Sequence, residues 1–189
     1  MKKLNLFIIF VFLLIFLISI PNLFKFKSHD ISADKRFTLS DTTISAIKKI
    51  NSPVEIDILL DGSMPNYYYT FQHKIRNVIE LLVNENSLIS YNFINPYELN
   101  QNDLILKKIS DFGLSPEVLL INKNNNRKEF KLYPWALINY NNKSVKVKLI
   151  ENKIGESEEE KIVRSISLLE NKLIDGLIKL TIKNKSKIS

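Results

Sequence analysis

Hydrophobic residues fill the start of the chain without interruption and without a period. No polar side chain occurs between Leu6 and Ile18, and the wider apolar run extends from Leu4 to Phe24. A helix rises about 1.5 Å per residue, so roughly twenty residues cross a hydrocarbon core of about 30 Å. The run therefore predicts a transmembrane helix within residues 1–24.

The sequence that follows this run favours an anchor that is not cleaved. Residues 20–25 offer no site of small residues of the kind at which signal peptides are cut. A lipoprotein anchor is excluded because the chain contains no Cys. Lysines flank the two ends of the apolar run in nearly equal numbers, which favours a cytoplasmic N-terminus only slightly. The predicted anchor residues are Leu6, Phe7, Ile8, Ile9, Phe10, Val11, Phe12, Leu13, Leu14, Ile15, Phe16, Leu17 and Ile18.

A period of two begins after a juxtamembrane linker and a short helix, which we predict over residues 25–52. Ser40 is placed to cap that helix, and Pro53 ends the connection. The next residues predict a strand with one buried face, because apolar and acidic side chains alternate. The apolar face comprises Val54, Ile56, Ile58 and Leu60, and the acidic face Glu55, Asp57 and Asp61.

Helical and strand patterns then alternate along the rest of the chain. After a loop at residues 61–66 we predict a helix of about fifteen residues, then a helix over Asp103–Phe112 with Leu104, Ile105 and Ile109 facing inward. A capping box of Ser157 and Glu160 starts a long final helix. The predicted strands are Leu88–Ile94, Val118–Ile121, Lys128–Leu132, Trp135–Tyr140 and Val145–Leu149.

This order predicts one α/β domain over residues 53–182. Two strands that are each followed by a helix imply a parallel pair, and the hairpins add antiparallel strands, giving a mixed sheet. The layout resembles a three-layer thioredoxin-like domain, and Phe112–Pro116 resembles the stretch around the thioredoxin cis-proline. Where thioredoxins carry redox cysteines, this chain has the loop at residues 61–66, so the usual redox chemistry is not expected.

The net charge of +7 does not indicate a nucleic-acid-binding protein. Eight lysines lie beside the apolar run or in the C-terminal tail, and removing them from 27 basic residues leaves 19 against 20 acidic ones. A near-neutral body offers no basic face to neutralise phosphates. We therefore expect no nucleic-acid partner.

The candidate catalytic groups are weak. Glu55, Asp57 and Asp61 share one face of a predicted strand, where carboxylates could act as acid and base or hold a metal, but such positions ordinarily face solvent. His29 and His73 lie outside any metal-binding spacing, and no phosphate-binding glycine-rich loop occurs. We predict a protein that is not an enzyme, with no catalytic, cofactor-binding or metal-binding residue.

Two other features are candidate surfaces. Tyr67, Tyr68 and Tyr69 follow one another at a loop–helix junction, where they would stack on a sugar, rest at a membrane interface or pack onto the sheet. The apolar stripe of the last helix extends over about five turns, so part of it would dock a second domain or chain, although core packing explains most such stripes. This possible docking stripe is Ile162, Ile166, Leu169, Leu173, Leu177 and Leu180.

Several short motifs, in order, resemble the extracytoplasmic region of the GldG family, the gliding-motility-associated auxiliary components of ABC transporters. Each motif is weak alone, but their order and spacing are fairly specific, and the likeness covers nearly the whole chain. The motifs are Asp34–Ser40, Pro53–Ile56, Phe93–Pro96, Tyr133–Ala136, Gly155 with Glu158 and Glu159, and Ser165 and Ile166 with Leu168–Glu170.

This resemblance implies a non-catalytic subunit that is anchored once in a bacterial inner membrane, with its main domain on the periplasmic side. Its partners would be the lipid bilayer and the permease and ATPase subunits of an ABC transporter. Family members continue into a second α/β domain and a second membrane helix. We therefore expect residues 183–189 to be the truncated start of that second domain, with a further polypeptide supplying the rest.

Two alternatives stay open at this point. One is a membrane-tethered binding module for a glycan or a peptide, which uses Tyr67–Tyr69. The other is an enzyme of thioredoxin-like fold that lacks redox cysteines and works through the carboxylates of the first strand.

Overall fold

The computed structural model describes residues 38–98, 102–123 and 126–182, and the residues from Leu39 onward form one compact unit. The predicted anchor, most of the predicted linker and the C-terminal tail lie outside the described residues. None of the helices within the described ranges combines the length and the apolar character that a membrane span requires.

The described chain contains four helices and six strands. The helices are α1 (Asp41–Ile47), α2 (Asn66–Glu85), α3 (Asn102–Asp111) and α4 (Glu158–Ile182). The strands are β1 (Val54–Ile58), β2 (Ile89–Phe93), β3 (Glu117–Lys123), β4 (Asn126–Leu132), β5 (Trp135–Tyr140) and β6 (Lys143–Lys148). The predicted order of elements is confirmed, and α2 is longer than expected.

Four strands form a mixed sheet in the order β2-β1-β5-β6. β1 runs parallel to β2, with Val54 opposite Ile89, and antiparallel to β5, with Ile56 opposite Ile138. The prediction of an α/β domain with a mixed sheet is confirmed. The expectation that both hairpins extend this sheet is wrong, because β3 and β4 pair only with each other in a separate two-stranded sheet.

Helices cover the sheet on both faces. The larger core lies between one face and the helices α1, α2 and α4, and it includes Ile56, Ile58 and Ile138. The smaller core lies on the other face, where Leu59 and Leu137 pack against α3. The prediction that only one face of β1 is buried is therefore wrong.

Helix α3 turns a different face inward than the pattern suggested. Ile105 and Ile109 are buried as predicted, but Leu104 is 66% exposed. Gly113 ends the helix with a φ of +56°, and its N–H donates to the carbonyl of Ser110 at 2.9 Å. A glycine tolerates this left-handed conformation without a steric cost, which confirms Gly113 as the predicted stop.

The resemblance to the thioredoxin cis-proline stretch is not reproduced at residues 112–116. The Ser115–Pro116 peptide bond is trans, as are all peptide bonds in the described part of the chain. The strand that follows, β3, lies in the separate hairpin rather than in the four-stranded sheet. The local likeness therefore came from a loop that leads into an extra hairpin.

Glu170 joins the beginning of the domain to its last helix. Its Oε1 accepts hydrogen bonds from the Ser40 N–H at 2.9 Å, the Ser40 hydroxyl at 2.8 Å and the Thr43 hydroxyl at 2.5 Å. Ser40 also caps α1 as predicted, since its Oγ accepts from the Thr43 N–H. Burial alone would raise the pKa of Glu170, but these hydrogen bonds outweigh it and lower the pKa below its usual range.

Gly176 allows α4 to lie close to the sheet. A Cβ atom at this position would stand 2.6 Å from Cγ2 of Val147 and 2.9 Å from Cδ1 of Ile138. Both distances are shorter than a van der Waals contact, so any side chain here pushes the helix or its neighbours away. Gly176 therefore lowers the helix propensity of α4 but permits close packing of the helix against the sheet.

We predict that Glu170→Gln lowers the free energy of unfolding by about 1 kcal/mol at pH 7, because hydrogen bonds to a charged acceptor are stronger than those to an amide. A carboxyl whose pKa is lowered in the folded state stabilises the fold above its unfolded-state pKa of about 4.3 and loses this effect as the pH falls. Urea unfolding at several pH values measures the difference, which should shrink below that pH.

The matched control for this prediction is Asp175→Asn, the same chemical change at an exposed position of α4. It should alter the free energy of unfolding by less than about 0.5 kcal/mol. Equal losses for the two variants, or a loss that does not depend on pH, would contradict the role assigned to Glu170.

We predict that Gly176→Ala destabilises the domain by about 1 kcal/mol, because overpacking of about 1–3 kcal/mol exceeds the gain in helix propensity of about 1 kcal/mol. Combining it with Val147→Ala should relieve the closest contact. The double variant should therefore lose less stability than the sum of the two single variants. Thermal or urea unfolding of the four proteins measures this coupling, and strict additivity would refute it.

Candidate functional site

A crevice of about 490 Å³ with polar and aromatic lining residues lies at the carboxyl ends of the two parallel strands. Asp61 follows β1 and Asn95 follows β2, and the two connections lead to helices on opposite faces of the sheet. In open α/β sheets such a divergence leaves a crevice outside the carboxyl ends of the strands, and ligands bind there. A larger hollow of about 660 Å³ lies at the opposite end of the sheet, around the β5–β6 turn.

One wall of the crevice is the loop between β1 and α2. Gly62 has a φ of +92°, and a Cβ there would lie within 2.9 Å of the Asn95 side chain, so the loop requires glycine. The Asp61 carboxylate accepts from the Gly62 N–H at 2.8 Å and from Nε2 of Gln72 at 3.0 Å. The loop is therefore held by the carboxylate of Asp61 and the side-chain amide of Gln72.

The aromatic part of the same wall is Tyr97, which is 47% exposed. Its ring lies 6.2 Å from the ring of Tyr133, and its N–H donates to Oδ1 of Asn95 at 3.0 Å. Partial burial, together with the neighbouring Tyr133, raises the pKa of Tyr97 to about 12. Tyr97 therefore stays neutral in water and offers an apolar ring with a hydroxyl.

The opposite wall is strand β4, of which Lys128, Glu129, Phe130, Lys131 and Leu132 line the crevice. The Lys128 ammonium lies 4.6 Å from the centre of the Phe130 ring, and Nζ of Lys131 lies 3.4 Å from Oε1 of Glu129. The charged side chains of this wall therefore have partners within the wall itself. Both walls present hydrogen-bonding groups around aromatic rings.

The three acidic residues of the first strand are not brought together in this crevice. Asp57 is only 4% exposed and lies on the sheet face beneath α3, where Lys108 is 3.5 Å from its Oδ2. Asn92 and Asn139 donate to the same carboxylate at 3.4 Å. The expectation that this face meets solvent is wrong at Asp57, because α3 covers it.

Glu55 lies further along this strand and accepts from Nδ2 of Asn92 at 3.1 Å. Of the three acids, only Asp61 reaches the crevice. The three carboxylates therefore do not come together as an acid–base pair in the crevice.

The three consecutive tyrosines diverge. Tyr68 is fully buried in the larger core, Tyr67 is half-buried beside it, and Tyr69 donates its hydroxyl to the Gly62 carbonyl at 3.2 Å. Successive residues of a helix point about 100° apart, so the three rings do not share one surface. The structure thus accounts for Tyr68 by packing, the alternative that the sequence had left open, and leaves Tyr69 as the exposed member of the three.

The predicted docking stripe of α4 fills the domain's own core. Five of its members are buried, and the sixth, Ile166, packs against that core. The stripe is thus covered by the sheet and by α1 and α2, and the prediction of a docking surface there is wrong. The five buried members are Ile162, Leu169, Leu173, Leu177 and Leu180.

A charged cluster that the sequence did not reveal connects the hairpin to α4. Glu117 at the start of β3 bonds to Nζ of Lys148 at 2.8 Å and lies 3.7 Å from Nζ of the buried Lys161. Lys161 also pairs with Glu158 at 2.8 Å. Burial and the nearby Glu158 carboxylate raise the pKa of Tyr68 above its ordinary value. These contacts fix the hairpin beside the N-terminal ends of α2 and α4.

The described ranges contain no group of three His, Cys, Asp or Glu residues that could hold a metal ion. Sequence reasoning also missed the crevice residues Tyr97, Lys128 and Phe130, because they are distant in sequence. One signal was available: Asn95 and Pro96 interrupt the chain directly after a predicted strand, at the edge where such sites form.

Comparison with known proteins places the chain in a family without assigning it an activity. No curated protein and no solved structure matches the chain. A family model described as a domain of unknown function (DUF7088) matches residues 33–139, which is more than half of the 189 residues and includes both walls of the crevice. The chain therefore belongs to the DUF7088 family.

Proposed function

We propose that this chain is a non-catalytic subunit of an ABC-type transport system, anchored in a bacterial inner membrane and similar to the GldG family. The apolar run at Leu4–Phe24 serves as the anchor, and the described domain works on the periplasmic side. The permease and ATPase subunits of the transporter are its partners. The proposal rests on the order of the sequence motifs and on the positions that their residues occupy in the fold.

The observation that carries the proposal is the contact between the first and the last of these motifs. Ser40 ends the first motif and Glu170 ends the last, 130 residues later, and they share two hydrogen bonds. Motif residues that hold each other in place are expected to reflect a common fold, whereas chance matches would be scattered over the surface. The contact thus supports treating the separate motifs as one pattern.

The intermediate motifs also lie at positions that the fold requires. Asn95 packs against Gly62 in the crevice, and the Trp135 indole N–H donates to the carbonyl of Ser115 at 2.9 Å. The carbonyl of Pro134 accepts from the Leu149 N–H at 2.9 Å. The Ser165 hydroxyl accepts from the Glu151 N–H at 3.0 Å. Each of these four motif residues therefore makes a structural contact that a family fold would preserve.

We further infer that the domain is thioredoxin-like, with the β3–β4 hairpin inserted between α3 and β5. Three features support this assignment: the strand order β2-β1-β5-β6, the single parallel pair, and helices on both faces of the sheet. The crevice then lies where the redox site of such a fold would be. Its polar and aromatic lining favours binding over chemistry.

We predict that the tagged full chain, expressed in its native host, stays in the membrane pellet after alkaline carbonate extraction. After solubilisation in mild detergent, it should co-purify with a permease and an ATPase that carries a phosphate-binding loop, both identifiable by mass spectrometry. Deleting residues 4–24 should release the domain into the soluble fraction. A full chain that washes off the membrane, or one that purifies without ABC subunits, would contradict the proposal.

We predict that Asp61→Asn leaves transporter association and any associated phenotype within about twofold of wild type. The Asn side chain keeps an acceptor oxygen for the Gly62 N–H and Gln72, so the loop retains its geometry. A catalytic carboxylate would instead lose most of its rate on this change, typically about 10²–10⁴-fold for a general acid or base. Loss of the phenotype at normal protein level would therefore favour the enzyme hypothesis.

A further inference from the structure

Strand β4 has an edge without a backbone partner. It pairs with β3 along one side, and within the described ranges its other edge forms no backbone hydrogen bond. An edge strand presents a row of free N–H and C=O groups, which another extended chain can pair with. Such an edge is a binding site when a cavity beside it has room for a backbone.

The register identifies the groups that point outward. Lys123 lies opposite Asn126, and only two residues connect them, so this is the hydrogen-bonded pair that closes the hairpin. Hydrogen-bonded and non-hydrogen-bonded pairs alternate in an antiparallel ladder. The outward N–H and C=O groups of β4 therefore belong to Arg127, Glu129 and Lys131, whereas those of β3 on its other edge include Leu120.

The crevice described above runs along this edge. Five consecutive residues of β4, at positions 128–132, line it. Side chains of a strand alternate between its two faces, so a hollow that touches all five lies along the edge. Asp61, Ser63, Asn95 and Tyr97 stand across from it. The volume of about 490 Å³ lies within the range of ligand-binding pockets.

We propose that this crevice binds an extended polypeptide segment, which adds as a strand to the free edge of β4. The backbone of β4 supplies the hydrogen bonds, and the exposed ring of Tyr97 contacts an apolar or aromatic side chain of the segment. A row of alternating donors and acceptors at strand spacing matches a polypeptide and not a sugar. This proposal goes beyond the transporter role and does not depend on it.

The charges of the crevice favour a segment with little net charge. Glu129 and Lys131 pair at 3.4 Å, and Lys128 stacks on Phe130. The Asp61 carboxylate is occupied by Gly62 and Gln72. Two acidic and two basic side chains thus offset each other along the lining, so a strongly acidic or strongly basic segment gains nothing from them.

The decisive experiment uses a library of random decapeptides displayed on phage, selected on the full chain in detergent micelles. Selected peptides are then synthesised, and their dissociation constants are measured by fluorescence anisotropy. Glu129→Pro removes the outward N–H without breaking the ladder to β3, because proline is tolerated at such edge positions. We expect it to weaken binding at least tenfold, through the lost hydrogen bond and the added ring.

Three variants serve as controls. Leu120→Pro makes the equivalent change on the outer edge of β3 and should leave binding within about twofold, since that edge does not line the crevice. Glu129→Ala removes the carboxylate but keeps the N–H, so it should also bind within about twofold. Tyr97→Ala should weaken binding by roughly tenfold, as expected for an aromatic ring that the bound segment covers. Circular dichroism checks that each variant is folded.

Three results would overturn the proposal. The first is the absence of any selected peptide that binds with a dissociation constant below about 1 mM. The second is an equal loss of binding in Glu129→Pro and Leu120→Pro. The third is binding that appears only after residues 25–37 are deleted, which would identify that segment of the same chain as the occupant.

Discussion

The fold depends on burying β1 on both faces. Strand β1 has β2 on one side and β5 on the other. Its apolar side chains enter the larger core, while Asp57 is buried on the opposite face and Leu59, directly after the strand, enters the smaller core. A half-buried strand needs only one covering layer, but Asp57 and the following Leu59 are buried on the second face, so α3 is needed there as well. The three-layer arrangement follows from this requirement, because the chain must send one helix to each side of the same strand.

The same requirement creates the crevice. The connection after β1 leads to α2 on one face, and the connection after β2 leads to α3 on the other, so the two loops separate at the carboxyl ends of the strands. Gly62 and Asn95 keep these loops in contact at their base. The β3–β4 hairpin then forms the second wall, held in place by Glu117 and the lysines that surround it. The free edge of β4 faces the gap that the diverging helices leave.

Local patterns predicted most of this fold, and long-range contacts account for what they missed. The capping box at Ser157 and Glu160 and the paired asparagines at the β5–β6 turn are short-range signals, and the structure contains both. The burial of Asp57 has no such signal, since it depends on Lys108, 51 residues later. An acidic residue in an alternating strand predicts a solvent-exposed face unless a later helix supplies its partner.

The crevice could not be predicted from the sequence because it too depends on long-range contacts. Its walls come from residues 61–97 and from β4, and nothing in the sequence of either part indicates that the two lie side by side. The separation of the hairpin from the sheet was also beyond prediction, because alternation specifies that a strand forms but not which strand it pairs with. Fold class therefore follows from local sequence, whereas the position of the site requires the tertiary arrangement.

The long helix α2 separates the crevice from the end of α1. Its C-cap residue Asn86 donates to the carbonyls of Ile47 and Ile50, which ties α1 to that end, while the first turn of α2 borders the crevice loop. Twenty residues of helix span about 30 Å, so the contacts of Asn86 with Ile47 and Ile50 lie at the other end of α2 from the crevice loop. A segment bound along β4 would therefore not compete with these contacts at the end of α1.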